Sequence, residues 1–283
     1  MLTDMGTILR QAKKEGYGVA APNAWSLNTV KSIFEAASEL KAPVIIDGAG
    51  IHQIEEISDA VHFYEKKFPE VTAALNLDHG GPFEEIIQAI RCGYTSVMVD
   101  RSTLTFEENV REVAEIVKIA HAVGVSVEAE LGHVGQGFEY EQTRDSGLTR
   151  KEEAIDFVKQ TNVDALAVSV GTSHGTYHGT PKLEFELLAD LHQMVEVPLV
   201  LHGGSANPDS EIAEAVKRGV NKINISSDIK DAFYQQLRKT LGNDPVIREP
   251  FDLYLESIDA MKEVVNQKID LFNDADKMKY YKL

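Results

Sequence analysis

Three short segments hold the residues best suited to chemistry: Leu77-Asp78-His79-Gly80, Gly171-Thr172-Ser173-His174-Gly175 and Leu201-His202-Gly203-Gly204-Ser205. Each follows an apolar run that reads as a strand, and each places a histidine beside glycine. Three histidines at three strand ends suit one transition metal with an open coordination position, the arrangement of catalytic rather than structural zinc. Asp78 directly precedes the first histidine, where a proton-transfer group is needed. The glycines after His174 and His202 leave backbone N–H groups free to approach an anion.

These histidines must be brought together by the elements between them. Strand-like runs are expected at Tyr17–Pro22, Pro43–Asp47, Val71–Leu77, Thr95–Val99, Val125–Leu131, Ala165–Val170, Val197–Leu201 and Val220–Ile225. Amphipathic helix-like segments follow each of them, the last over Asp228–Leu241. The strands are rich in Val, Ile, Leu and Ala without strict alternation, as strands buried on both faces are. Eight strand–helix units predict a (β/α)8 barrel, an α/β fold of about this length. A doubly wound open sheet competes, but no G-x-G-x-x-G follows the first strand. In a barrel, His79, His174 and His202 end strands three, six and seven and meet at one mouth, with Glu130 at the end of strand five and Asn224 near the end of strand eight. The whole chain, 1–283, is expected to form one domain, with the barrel over about 7–241 and a C-terminal helix over about 251–273. Apolar residues of that helix (Leu253, Leu255, Ile258, Met261, Val264, Val265 and Ile269) would pack on the barrel or on another subunit. Gly132–Thr149, a long connection with four glycines, is expected to be a mobile lid.

Composition narrows the function classes. A formal net charge of −17 with no basic block disfavours nucleic acid or an anionic membrane as partner. An anionic substrate would need a local pocket. Cys92 is the only cysteine, which excludes an intrachain disulfide and a Cys/His zinc finger and fits a cytoplasmic location. The first sixteen residues lack the pattern of a signal peptide, and no apolar run approaches the ~20 residues of a membrane span.

Laid out in this way, the chain resembles the class II, zinc-dependent ketose-bisphosphate aldolases from about Thr7 to Phe272. The resemblance is carried by LDHG at 77–80, VEAELGHVG at 127–135, GTSHG at 171–175, PKL at 181–183, LHGGS at 201–205 and KINISSD at 222–228. The segment KINISSDIKDAF and the tail look most like the tagatose-bisphosphate branch. The resemblance implies Zn2+ on His79, His174 and His202. Asp78 would then move the proton of the C4 hydroxyl. Asn23, Gly175, Gly203, Ser205, Asn224 and Ser227 would hold dihydroxyacetone phosphate. The family also implies a monovalent cation (Na+ or K+) near the phosphate loops, a homodimer or homotetramer, and an acid on the loop after strand five. Glu139 is the nearest candidate for that acid and Glu141 the second.

The chain also departs from the family pattern. It carries Asn76 where many relatives have histidine, Asp47 where a small or hydroxyl residue is usual, Arg101 for glycine or alanine, His178 for lysine and Ala206 for glycine. Asp47, if it pointed into the mouth, would repel a second substrate phosphate, whereas Arg101 or Lys230 could neutralise one. A metal-dependent hydrolase on the same barrel and a non-catalytic sugar-phosphate binder are the alternatives. The absence of H-x-H on strand one counts against the first, and the retention of Asp78 with three histidines counts against the second.

Overall fold

The computed structural model describes residues 1–175, 177, 181–243, 249 and 251–281. Eight parallel strands form one sheet: β1 (Val19–Pro22), β2 (Val44–Ala49), β3 (Ala73–Gly80), β4 (Ser96–Val99), β5 (Ser126–Leu131), β6 (Ala165–Val168), β7 (Leu199–Leu201) and β8 (Val220–Ile225). Their order is β1-β8-β7-β6-β5-β4-β3-β2. The last strand pairs with the first, from Val19 opposite Lys222 to Pro22 opposite Ile225. The remaining seam is closed by a bridge between Asn23 and Asp47, with the Ala24 N–H donating to the Asp47 carbonyl over 2.8 Å. The result is the expected (β/α)8 barrel with a C-terminal helix.

Side chains alternate between the barrel axis and the surrounding helices. Asn76 and Asp78 on β3, Glu128 and Glu130 on β5, and Lys222 and Asn224 on β8 share the axial parity. Their neighbours Leu75, Leu77, Val127, Ala129 and Ile223 join the cluster packed beneath the outer helices.

The helix Met5–Glu15 lies outside the eight expected units. Asp4 caps it by accepting from Thr7 N–H, and Gly16 ends it in the left-handed region at φ 69°. Its Met5, Ile8, Leu9 and Ala12 pack with Val19, Ile45, Ala74, Met98 and Val200 and plug the N-terminal end of the barrel. The i, i+3, i+4, i+7 spacing of those four was readable in the sequence.

The final helix, Asp252–Leu271, buries Met261, Val265 and Ile269 and packs on the helix Leu27–Leu40, with Lys262 Nζ 2.8 Å from Glu39. Burying each of these side chains contributes about 1.5–3 kcal/mol. Its Tyr254 and Leu255 stay about half exposed.

The connection after β5 is more structured than a bare loop. It holds two short helical turns, Gly137–Glu139 and Tyr140–Thr143. Gln136 bridges to His174, and the buried Tyr140 hydroxyl donates to the Gly171 carbonyl over 2.9 Å. It is thereby tied to the loop that carries His174.

Candidate active site

β3 does not end as a regular strand. Its register against β4 shifts between Leu77 and Gly80, and His79 between them sits at φ 52°. A non-glycine residue there costs about 1–2 kcal/mol, and strain of this kind concentrates at functional sites. A Cβ on Gly80 would lie 2.3 Å from the Met98 carbonyl oxygen, so only glycine permits the kink. The kink turns the His79 ring to the axis, with Nε2 3.2 Å from His174 Nε2 and 3.1 Å from His202 Nδ1. Gly203 is fixed as firmly: at φ 63°, a Cβ would lie 2.5 Å from the Ser173 carbonyl oxygen. The loops of His174 and His202 therefore touch backbone to backbone.

The outward nitrogen of each ring has an acceptor. His79 Nδ1 is 3.0 Å from Asp100 Oδ2, His174 Nδ1 is 3.2 Å from the Val134 carbonyl, and His202 Nε2 is 2.7 Å from Glu128 Oε1. Protons placed on those nitrogens leave three inward lone pairs, all within 4.8 Å of one another. A shared metal ion would reconcile them. The close approaches are near the ~3.3 Å edge of a tetrahedron with metal–nitrogen bonds of ~2.05 Å, and acceptors behind each ring are usual for metal-bound histidine. The residues fit a metal.

The surroundings favour positive charge at His79 but oppose it at His174 and His202. Burial opposes protonation of His79, yet the Asp100 hydrogen bond and the Asp78 and Glu130 carboxylates raise it to about 9. Burial, with the charges of His202 and His79, pushes His174 down to about 3. Burial and the Asp100 charge lift Glu130 to about 8. One Glu130 oxygen accepts from Val134 N–H over 2.9 Å, and the other has no partner among the described residues. His79, Asp100 and Glu130 also converge within 4.8 Å, so Glu130 both orients the Val134 loop and faces the metal region.

Asp78 is clamped from both sides. Asn23 Nδ2 donates to Oδ2 over 2.9 Å and Asn224 Nδ2 to Oδ1 over 3.0 Å. Burial works against ionisation, but His79, His202 and Lys222 hold the carboxyl below the usual carboxylate range. Asp78 is thus held as a carboxylate, with Oδ1 3.9 Å from His79 Nε2.

These groups line a cavity of about 150 Å3. Its walls include Asn23, Asp78 and the three histidines, and its far side is Gly175, Gly203, Ser205, Asn224 and Ser227. Ser227 opens the helix Ser227–Asn243, whose amide end faces this side. Ser205 Oγ lies 3.4 Å from both Ser226 N and Asp228 N, which ties the β7 and β8 loops together. Every site residue expected from the sequence is here except Glu139. Glu139 and Glu141 are exposed on the connection after β5 and do not line the cavity.

The departures fall in unexpected places. Asp47 does not point into the mouth, which corrects the expected repulsion of a second phosphate. It is fully buried below the mouth, accepts from Asn76 Nδ2 over 2.9 Å and lies 3.5 Å from Lys222 Nζ. Burial pushes its carboxyl well above the ordinary range, against the pull of Lys222. Its Oδ1 is held by Asn76, whereas Oδ2 faces Lys222 Nζ without a hydrogen bond among the described residues. Arg101 is committed to Glu112 at 2.6 Å and to the Asp100 carbonyl at 2.8 Å. Ala206 holds φ 60°, the reason glycine suits that position. His178 lies outside the described residues. Sequence reasoning missed Glu128 and Lys222 as neighbours of the site; the signal was two charged residues at axial parity in otherwise apolar strands.

The family model for fructose-bisphosphate aldolase class-II matches residues 3–277. The chain belongs to the class II fructose-bisphosphate aldolase family. It is an aldolase of a metal-dependent family, and its three converging histidine nitrogens lie close enough together to share one metal ion. A fructose-bisphosphate aldolase of Helicobacter pylori is 37% identical to it, covering 98% of this chain and 100% of the relative. One from Thermus caldophilus is 39% identical, over 94% and 96% respectively. Among solved structures, the YdjI aldolase of Escherichia coli K12 superposes with a TM-score of 0.86 at 33% identity, covering 97% of this chain and 98% of that one. No helix among the described residues is long and apolar enough to cross a membrane.

Proposed function

We propose that this aldolase cleaves a ketose 1,6-bisphosphate of the fructose or tagatose type to dihydroxyacetone phosphate and an aldehyde such as glyceraldehyde 3-phosphate, and catalyses the reverse condensation. The observation that carries the reading is Asp78, ionised, clamped by two asparagines and set beside three converging histidine nitrogens. A zinc ion on His79, His174 and His202 would supply Lewis acidity to the ketone and the adjacent C3 oxygen.

The chain's own residues do the rest. Asp78 accepts the C4 hydroxyl proton as the C3–C4 bond breaks, its electron pair staying on C3 and the aldehyde departing. Glu139, on the connection after β5, returns a proton to C3 when that connection moves inward. The C1 phosphate sits against the amides around Gly175, Gly203, Ser205 and Ser227. Asn224 Oδ1, without a partner among the described residues, accepts from a substrate hydroxyl.

The distal end reaches a neighbouring cavity of about 290 Å3. Its walls include Trp25, Ile51, His52 and Lys230, the last three residues beyond Ser227. His52 accepts from Ala49 N–H over 3.3 Å, and burial and Lys230 lower its affinity for a proton. That leaves Lys230 to neutralise a distal anion. A second copy of the chain would cover the exposed Tyr234, Leu241, Phe251, Tyr254 and Leu255, giving a homodimer or homotetramer.

A retro-aldol assay on fructose and tagatose 1,6-bisphosphates and their 1-monophosphates, with and without chelator, tests this reading. Chelator-sensitive cleavage with a bisphosphate preferred is expected. A monophosphate preferred tenfold would overturn the bisphosphate assignment.

A further inference from the structure

Below the histidines the barrel holds a second polar layer that does not line the cavity. Barrel layers are ordinarily filled by bulky branched side chains. Here the layer contains Asp47, Asn76, Glu128 and Lys222, all fully buried. Asn76 stands opposite Asp47 in the β2–β3 register and two residues before Asp78; Glu128 and Lys222 stand two residues before Glu130 and Asn224. The two departures at 47 and 76 are therefore one contacting pair.

Stability does not account for this layer. Desolvating three charged groups offsets most of their mutual attraction, and well-packed apolar residues would serve the fold equally well. What the layer has is direction. Asn76 Nδ2 anchors Asp47, and Lys222 Nζ lies between Asp47 Oδ2 at 3.5 Å and Glu128 Oε2 at 2.9 Å. The other Glu128 oxygen meets His202 Nε2 at 2.7 Å, and His202 Nδ1 then faces His79. Without Asp47, the Lys222 ammonium has one carboxylate left among these partners. Both Glu128 oxygens are then drawn toward it, and His202 loses the acceptor that sets its tautomer.

We infer that Asp47 is a positioning residue for the metal centre: by holding Lys222 from the far side it keeps Glu128 on His202 and His202 turned toward the other two histidines. This rests on the reading of those histidines as the metal site.

Zinc affinity tests it, measured by competition with a chromophoric chelator on the purified protein and on Asp47→Asn and Asp47→Ser, beside the melting temperature of each metal-free form. Each variant should bind zinc ~10–100-fold more weakly, the usual cost of losing an outer-shell partner, while the metal-free form melts at a lower temperature but still cooperatively, since removing one member of a buried ion group weakens the fold. In a Lys222→Met background, Asp47→Asn should add no further loss, because the two act in series. Affinity within twofold of the parent in either variant would overturn the inference. So would loss of the metal-free fold in both variants, which would assign Asp47 to the fold. A parent protein that binds no zinc would instead defeat the reading of the histidines themselves.

Discussion

At the N-terminal end of the barrel, Met5, Ile8, Leu9 and Ala12 close the strands with an apolar plug on ordinary helical backbone. At the C-terminal end the same strands finish in a left-handed histidine, a left-handed alanine, an unpartnered glutamate oxygen and buried charges. The floor follows the rules that stabilise a fold, whereas the mouth breaks several of them at the ends of different strands. A cavity of about 740 Å3 lined by Met1, Pro69 and Thr72 opens on the floor side, much larger than the one at the histidines. Among the described residues it gathers no histidine. Size therefore separates the two ends less well than convergent chemistry does.

The contrast can be broken at either end. Replacing His79, His174 or His202 by alanine should abolish cleavage and lower bound metal, checked by assay and elemental analysis. Asp78→Ala should keep the metal and lose ~10²–10⁴ in rate, the usual worth of a placed acid–base group; near-normal turnover would make Asp78 merely structural. Glu139→Ala should slow C3 proton exchange of dihydroxyacetone phosphate while metal content holds, and unchanged exchange would move the role to Glu141 or elsewhere. At the floor, Leu9→Ala should cost ~2–5 kcal/mol in denaturant unfolding and leave kcat nearly unchanged. The smallest effect tests strain at the mouth: Ala206→Gly should add ~0.5–1 kcal/mol, since relief of the left-handed alanine exceeds the entropy glycine adds to the unfolded chain. A destabilised Ala206→Gly protein would show that position 206 stores no strain.

Much of this was legible in the sequence, and for physical reasons. Eight apolar runs separated by amphipathic segments have few folds available, and histidines at strand ends can meet only at one rim. What stayed hidden depends on partners distant in the chain. Asp47 reads locally as a rim residue, because nothing near it announces that Asn76 and Lys222 will enclose it. The positive φ of His79 follows from a register shift against β4 that no local pattern encodes. Met5–Glu15 had both caps and the right spacing, and was missed because it stands before the first strand–helix unit. Glu139 and Glu141, the two acids the sequence offered, are not brought to the cavity, since Gln136 and Tyr140 hold their connection against the β6 loop.

The pairing of β1 with β8 also sets a timetable. β8 ends about two hundred residues after β1 in the chain. Gly18 N–H donates to the Phe272 carbonyl and Ala20 N–H to Asp274 Oδ2, so the first strand waits for the tail as well. At ~5–20 residues per second, a ribosome leaves β1 without its partner for roughly 10–40 s. A long, flat apolar edge exposed that long would recruit neighbouring nascent chains. β1 is four residues, Val-Ala-Ala-Pro, and its proline lacks an N–H to offer one. The strand that must wait longest is thus among the poorest templates for mispairing.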